Sequence, residues 1–202
     1  MKSSKIASDP RKREKYLAII DAALEAFAEY GYHDCQVAKI ARRAGIADGT
    51  IYLYFANKED ILISVFQEKM SRYLEEVRAK IAGCDDPWEQ LAALVRFHLE
   101  NSEQNPVLAN FFQIQLRQSS PQIRSGISGP LRQYYRLIEE IITAGIARGR
   151  FDAAIDPKIA REMVFGSLDE IVSCWVIGGQ KFSLAAQVPG FLRLLRGGLV
   201  TG

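Results

Sequence analysis

Residues 36–55 read Gln36-Val-Ala-Lys39-Ile40-Ala41-Arg-Arg43-Ala44-Gly45-Ile46-Ala-Asp48-Gly49-Thr50-Ile51-Tyr52-Leu53-Tyr54-Phe55. The apolar spacing predicts one short helix over 36–44 that stops at Gly45, where a left-handed turn costs glycine little. A second short helix over 48–54 carries Gly49, Thr50, Tyr52 and Tyr54 on its outer side. Ile40, Ile46, Ile51 and Phe55 supply the inner face, and Ala41 is small enough for the two helices to cross closely. Two short helices joined by a tight glycine turn make a helix-turn-helix, whose second helix enters the major groove of DNA. Gly49 and Thr50 would allow close approach and offer a hydroxyl, while Tyr54 and Lys58 are placed to donate to phosphates.

Helix starts are legible outward from this stretch. Asp9-Pro10, Asp86-Pro87, Asn105-Pro106, Ser120-Pro121 and Asp156-Pro157 each put a capping residue before a proline, which suits the first helical position because its missing N–H would be unpaired there. Asn57-Lys58-Glu59-Asp60 has the form of a capping box. Stops are expected at Gly31, Gly45, Gly83, Gly149 and Gly178-Gly179. Between these marks the apolar spacing is three and four, as in Ile61, Val65, Tyr73, Val77 and Ile81, and nothing alternates with period two. The chain therefore reads as all-α, with about nine helices near 10–30, 36–44, 48–54, 57–82, 87–103, 106–118, 121–148, 157–177 and 183–197. Residues 1–58 form the three-helix DNA-binding domain and 59–202 a helical ligand-binding and dimerisation domain.

With 202 residues, 48% of them apolar, the chain can bury a substantial core. No apolar run reaches the roughly 18 residues of a membrane span, and the basic start lacks the apolar segment of a signal peptide, so a cytoplasmic protein is expected. Cys35, Cys84 and Cys174 are odd in number and widely spaced, which fits free thiols in a reducing compartment. The net charge of +2 is uneven: residues 1–58 carry ten Lys/Arg against seven Asp/Glu, and the remainder carries a slight acidic excess. The basic excess begins at Arg11-Lys12-Arg13 and suits either a solvated helix start or phosphate contact. Enzyme chemistry finds little footing: no glycine-rich phosphate loop, paired-histidine motif or zinc spacing is present, and His33 and His98 stand alone. No cofactor and no metal are expected.

The pattern Ile40-Ala41-x-x-Ala44-Gly45-Ile46-x-x-Gly49-Thr50-Ile51-Tyr52-x-Tyr54-Phe55-x-Asn57-Lys58-Glu59 resembles the DNA-binding signature of the TetR family of repressors, across about residues 10–58. The resemblance implies a homodimer reading a palindromic operator in double-stranded DNA. It puts Gly49, Thr50, Tyr52, Tyr54 and Lys58 at the DNA, and Lys39, Arg43 and Asp48 join them as candidates on the same two helices. Gln36 replaces the threonine that often caps the first of these helices. Asp48 stands where many members carry lysine or a small polar residue; it would repel phosphate but can accept from cytosine N4.

The helix at 157–177 shows one apolar stripe of Ala160, Val164, Leu168, Ile171 and Trp175 and another of Phe165, Val172 and Val176. The helix at 183–197 carries Leu184, Val188, Phe191, Leu192 and Leu195. Helices apolar on two faces must bury both, so these two are expected to form a four-helix seam with a twin. Arg96, Arg117, Arg124, Arg132 and Arg136 lie in a stretch with no lysine between Lys80 and Lys158. Arginine suits phosphate and carboxylate, although surface pairing with Glu100, Glu103, Glu139 and Glu140 competes as an explanation. The strings Gln115-Leu116-Arg117-Gln118-Ser119, Phe165-Gly166-Ser167-Leu168-Asp169-Glu170 and Cys174-Trp175-Val176 resemble a narrower group, the FadR-like repressors of fatty-acid degradation. That resemblance implies release from DNA by long-chain acyl-CoA. Arg96, Phe97, Phe111, Phe112, Gln115, Arg117, Arg124, Arg132, Tyr135, Phe165, Leu168 and Trp175 are the candidate ligand residues, and Tyr134 is a further candidate for the lining. The rival reading is a TetR-type repressor of an efflux pump, with a hydrophobic drug as effector.

Overall fold

The computed structural model describes residues 9–117 and 120–200. Among them the chain forms nine α-helices and no strand: α1 (Pro10–Asp34), α2 (Val37–Arg43), α3 (Asp48–Ile51), α4 (Lys58–Ile81), α5 (Pro87–Gln104), α6 (Pro106–Leu116), α7 (Pro121–Ala147), α8 (Pro157–Ile177) and α9 (Val188–Leu199), with a 3-10 turn at Ala185–Gln187. Gln118 and Ser119, the end of one quoted string, lie outside the described residues.

The starts form as their side chains dictate. Asp9, Asp86 and Asp156 each accept from two amides in the first turn of the following helix, and Ser120 Oγ accepts from Ile123 N at 3.5 Å. Asn105 differs: its amide turns back and donates to Asn101 O and Oδ1 at the end of α5. The capping box closes with Asp60 N donating to Asn57 Oδ1 (2.8 Å) and Asp60 Oδ2 accepting from Ala56 N (2.8 Å), one residue earlier than the usual form. Gln36 makes no side-chain cap on α2.

Three helix bounds depart from the sequence reading. In α1, Gly31 (φ 72°) interrupts the helix where the stop was expected, and a last turn follows to Asp34. α3 ends at Ile51 rather than 54; Leu53 and Tyr54 bond three residues back (to Thr50 O and Ile51 O), which tightens the chain so that Phe55 is buried and stacks on Tyr16 at 5.3 Å. α9 begins at Val188 rather than 183, because Pro189 has no N–H to bond backward and fits only in a first turn. The preceding 3-10 turn is fastened by Glu103, which accepts from Ala185 N (2.8 Å) and Ser183 Oγ (3.2 Å).

The helices group into two compact units. One comprises Met1–Met70 with Ile114–Ile127, the other Ser71–Gln113 with Ser128–Gly202. In the first, Ile19, Ile20, Ala23, Phe27, Ile40, Ala41, Ile51 and Phe55 form a closed core, and the two ends of α1 are tied down by Arg13–Glu68 (2.7 Å) and by Lys58. The start of α7 packs on α4 within this unit. Pro130 inside α7 cannot donate to the Gly126 carbonyl four residues back. Gln67 Nε2 on α4 takes that carbonyl at 2.8 Å. Gly126 also leaves room for Ile63 of α4, which a Cβ would meet at 2.7 Å. Ser120 Oγ donates to Glu59 Oε1 at 3.3 Å beside them.

In the second unit α8 turns Ala160, Val164, Leu168, Val172 and Trp175 inward. Val172 thus replaces Ile171 in the stripe of Ala160, Val164, Leu168 and Trp175, and Phe165 packs against Tyr135 and Tyr134. The apolar residues left outside are Ile159, Met163 and Ile177 on α8 and Leu194 on α9, each more than half exposed.

Candidate nucleic-acid interface and effector site

The helix-turn-helix is assembled as its residues require. Gly45 adopts φ +68° at the turn, and Ala41, fully buried, lets α2 and α3 touch. Gly49 and Asp48 are exposed on α3, Thr50 and Tyr54 are half-buried, and Tyr52 is 51% exposed. A Cβ built on Gly49 meets nothing within 4 Å, and its backbone is ordinary. Nothing inside the protein demands glycine there. We therefore expect Gly49→Ala to leave stability unchanged, or to raise it by up to ~1 kcal/mol through helix propensity, while weakening operator binding roughly tenfold (~1.4 kcal/mol) on the sequence reading that turns this position toward the groove. Thermal unfolding and fluorescence anisotropy on one preparation check both halves; unchanged DNA affinity would remove Gly49 from the interface.

The three candidate cations Lys58, Arg43 and Lys39 are already engaged. Lys58 Nζ donates to the carbonyls of His33 (2.9 Å) and Cys35 (3.2 Å) and lies 4.7 Å from the Tyr32 ring centroid. It closes the C-terminal end of α1, where a cation is favoured, and these two bonds use two of its three N–H donors. Arg43 is paired with Glu25 and Glu29 of α1, and Lys39 Nζ sits 3.7 Å over the Tyr30 ring. A cleft of about 650 Å³ opens beside Lys58, with Gln36, Asp48, Tyr52 and Asn57 in its wall. Cys35 is buried in the same wall; burial pushes its thiol pKa up despite Lys58, Lys39 and Arg43. Cys174 is also raised, chiefly by its hydrogen bond to Glu170. Neither is an activated thiolate.

The effector candidates fall into groups. Arg96, Arg117, Arg124 and Arg132 are exposed, on α5, just after α6, and on α7. Phe111, Gln115, Leu168 and Trp175 are buried, and Phe97, Phe112, Tyr135 and Phe165 half-buried. Trp175 Nε1 donates to Phe182 O at 2.8 Å, so the indole anchors the loop before the 3-10 turn. Gln115 on α6 is 3% exposed, and its Oε1 has no hydrogen-bond partner among the described residues. A buried acceptor without a donor costs about 1–3 kcal/mol. Phe97 and Phe165 meet a cluster of which sequence reasoning assigned Tyr134 and Tyr135 but missed Tyr73 and His98: Phe97 lies 5.3 Å from Tyr73, and Phe165 lies 6.1 Å from Tyr134 and 4.7 Å from Tyr135. Tyr73 Oη and Tyr134 Oη both approach His98 Nδ1 at 2.9 Å. Burial drives both phenols' pKa values up and pulls His98 down to about 4, so all three are neutral near pH 7. Arg161, half-buried on α8, bonds Glu139 (3.1 Å) and lies 5.4 Å from the Tyr135 ring centroid.

Comparison with known proteins bears on both halves of the chain. Residues 19–65 match the family described as bacterial regulatory proteins, tetR family, and residues 66–198 match the YsiA-like protein C-terminal region. The fatty acid metabolism regulator protein of Bacillus subtilis is 44% identical over 189 residues, covering 94% of this chain and 97% of that one. Among solved structures, the fatty acid degradation regulator FadR of Bacillus halodurans is 46% identical with a TM-score of 0.87, covering 91% of this chain and 95% of that one. FadR of Bacillus subtilis, determined in complex with stearoyl-CoA, is 44% identical with a TM-score of 0.86, covering 89% of this chain and 97% of that one. With the motif, the helical architecture and near-complete coverage in agreement, the chain belongs to the TetR family of bacterial transcriptional regulators.

Proposed function

We propose that this protein is a repressor of fatty-acid degradation genes that binds a palindromic operator as a homodimer and leaves it when a long-chain acyl-CoA binds. The observation that carries the reading is 44% identity, spread over nearly the whole fold, with a regulator that holds stearoyl-CoA. The residues suit such a ligand. Gln115 Oε1 is a buried acceptor that an amide N–H of the pantetheine arm would satisfy. Phe97, Phe112, Tyr135 and Phe165, half-buried, offer apolar surface to the acyl chain, while Phe111 and Leu168 are buried. Arg96, Arg117, Arg124 and Arg132 stay at the surface, where the nucleotide phosphates must remain near water. On the DNA side Gly49, Thr50, Tyr52 and Asp48 face the groove, and Tyr54, Lys58, Lys39 and Arg43 serve the backbone. No helix among the described residues is long and apolar enough to cross a membrane, in keeping with a cytoplasmic regulator.

The coupling runs through contacts inside the first unit. The segment that carries Gln115, Arg117 and Arg124 packs on α4 through Ser120–Glu59, Gly126–Gln67 and Gly126–Ile63. Lys58, one residue before Glu59, fastens α4 to the end of α1. A ligand that shifts the 114–127 segment moves the base of the helix-turn-helix, so that two recognition helices no longer match successive major grooves, roughly 34–36 Å apart. Only a ligand that prefers the shifted form can drive this change.

The test uses an operator selected from a random duplex pool. Lauroyl-, palmitoyl- and stearoyl-CoA, the free acids and free CoA are added in turn while anisotropy reports bound DNA. Release by the thioesters alone is expected, with potency rising with chain length at up to ~0.8 kcal/mol per buried methylene. No release by any acyl-CoA would overturn the reading and favour a hydrophobic drug as effector.

A further inference from the structure

The second unit holds a polar node with one more donor than it can use. His98 Nδ1 lies 2.9 Å from Tyr73 Oη and 2.9 Å from Tyr134 Oη, and the two phenols are 3.5 Å apart. The surroundings are aromatic: Phe97 lies over Tyr73, and Phe165 meets Tyr134 edge-on. Tyr134 is 1% exposed and Tyr73 7%. Among the described residues neither hydroxyl makes a hydrogen bond beyond these.

The proton count decides what this node can do. Neutral histidine with Nδ1 unprotonated offers one lone pair there, and two hydroxyl protons compete for it. The other tautomer would leave both hydroxyl protons unmatched, so the Nδ1-accepting form is the more satisfied one. Even then one O–H retains only the 3.5 Å contact to its neighbouring phenol, beyond good O–H···O geometry. An unmatched donor among apolar groups is a recognition element for an acceptor that carries no proton of its own. A ligand N–H or ammonium does not fit; a carbonyl oxygen does.

We propose that the Tyr73–His98–Tyr134 node hydrogen-bonds the thioester carbonyl oxygen of the acyl ligand, so that the regulator reads the acyl group by its oxygen as well as by its chain. The proposal rests on the acyl-CoA reading above and adds the position of the carbonyl. Tyr73 also gives the contact a path to DNA binding, because it lies on α4, the same continuous helix whose first residue, Lys58, fastens α1. Tyr73→Phe or Tyr134→Phe leaves one hydroxyl for one lone pair. Either variant therefore removes the surplus donor without orphaning His98, and folding should be preserved.

The experiment compares lauroyl-CoA with its thioether analogue S-dodecyl-CoA, which has CH₂ in place of the carbonyl, by isothermal titration. The thioether is the more apolar ligand, so burial alone would favour it. Wild-type protein is expected to bind the thioester about tenfold more tightly, the effect of one hydrogen bond of ordinary strength. Tyr73→Phe and Tyr134→Phe should bring the ratio to within about twofold through weaker thioester binding, with thioether affinity held. Equal wild-type affinities for the two ligands would overturn the node as carbonyl reader and leave the acyl-CoA reading standing. A tenfold preference that survives both variants would place the carbonyl contact elsewhere and overturn the proposal as well. Binding of neither ligand to wild-type protein would overturn the acyl-CoA reading itself, and the node proposal with it.

Discussion

Replacing Met163 and Leu194 with aspartate should give a folded monomer that no longer holds its operator. Both side chains are among the most exposed large apolar groups of the chain, at 65% and 79%, and Ile177 (85%) and Ile159 (59%) accompany them on α8. Apolar groups concentrated on two adjacent C-terminal helices call for a partner surface, and a palindromic operator calls for a twin. Between them the outer side of α8 carries Gly166, Ser167 and Cys174, exposed and small, which allow a second helix to approach closely. An obligate interface of this kind buries roughly 2,000 Å² or more in total, and unpaired carboxylates inside it are strongly unfavourable. Because both aspartates are solvated in the monomer, far-ultraviolet circular dichroism should not change. Loss of the second half-site should lower operator affinity by about 100-fold or more. Light scattering that still reports a dimer would move the interface off α8 and α9. Leu192, which the apolar spacing suggests for this role, is the weaker probe, because it is half-buried within its own protomer.

The second large effect is on stability against acid. His98 titrates near 4 in the folded chain and near 6.5 when unfolded, because burial disfavours the imidazolium. The unfolded state therefore binds the proton first as pH falls. The stabilisation that neutral His98 provides is complete above pH 6.5 and is lost progressively between pH 6.5 and 4. The loss should amount to about 2–3 kcal/mol. His98→Asn keeps an acceptor near the Nδ1 position but does not titrate. Urea unfolding of both proteins at fixed concentration should give curves that converge as pH falls from 7 to 4. Parallel curves would show that His98 is not buried neutral.

The DNA-binding half was legible because its signals are local. The glycine turn at Gly45, the Asn57–Asp60 box and the aspartate–proline starts each act within four residues, and each formed at its expected place. The stripe Ile61, Val65, Tyr73, Val77 and Ile81 is buried throughout. What sequence could not give depends on distant partners. His98 stands alone on α5, and its meaning comes from Tyr73 and Tyr134, 25 and 36 residues away. Lys58 reads as a phosphate donor, yet two of its bonds go to carbonyls of His33 and Cys35 on a neighbouring element. Periodicity placed apolar stripes on α8 without fixing which face turned inward, and it put Ile171 in the stripe where Val172 is buried. Ile159, Met163 and Ile177 emerge as the outward residues only once Val172 and Trp175 are seen inside. The joint at Gly126 and Pro130 likewise needs Gln67, from another helix, before the proline's orphaned carbonyl has a partner.

Release of the operator requires that operator and acyl-CoA favour different conformations of the same dimer. Coupling of this kind is reciprocal. Titrating stearoyl-CoA into the free protein and into the protein saturated with operator measures it directly. Ligand binding to the DNA complex is expected to be weaker, by the same factor by which saturating ligand weakens operator affinity. Equal stearoyl-CoA affinities with and without operator would contradict it.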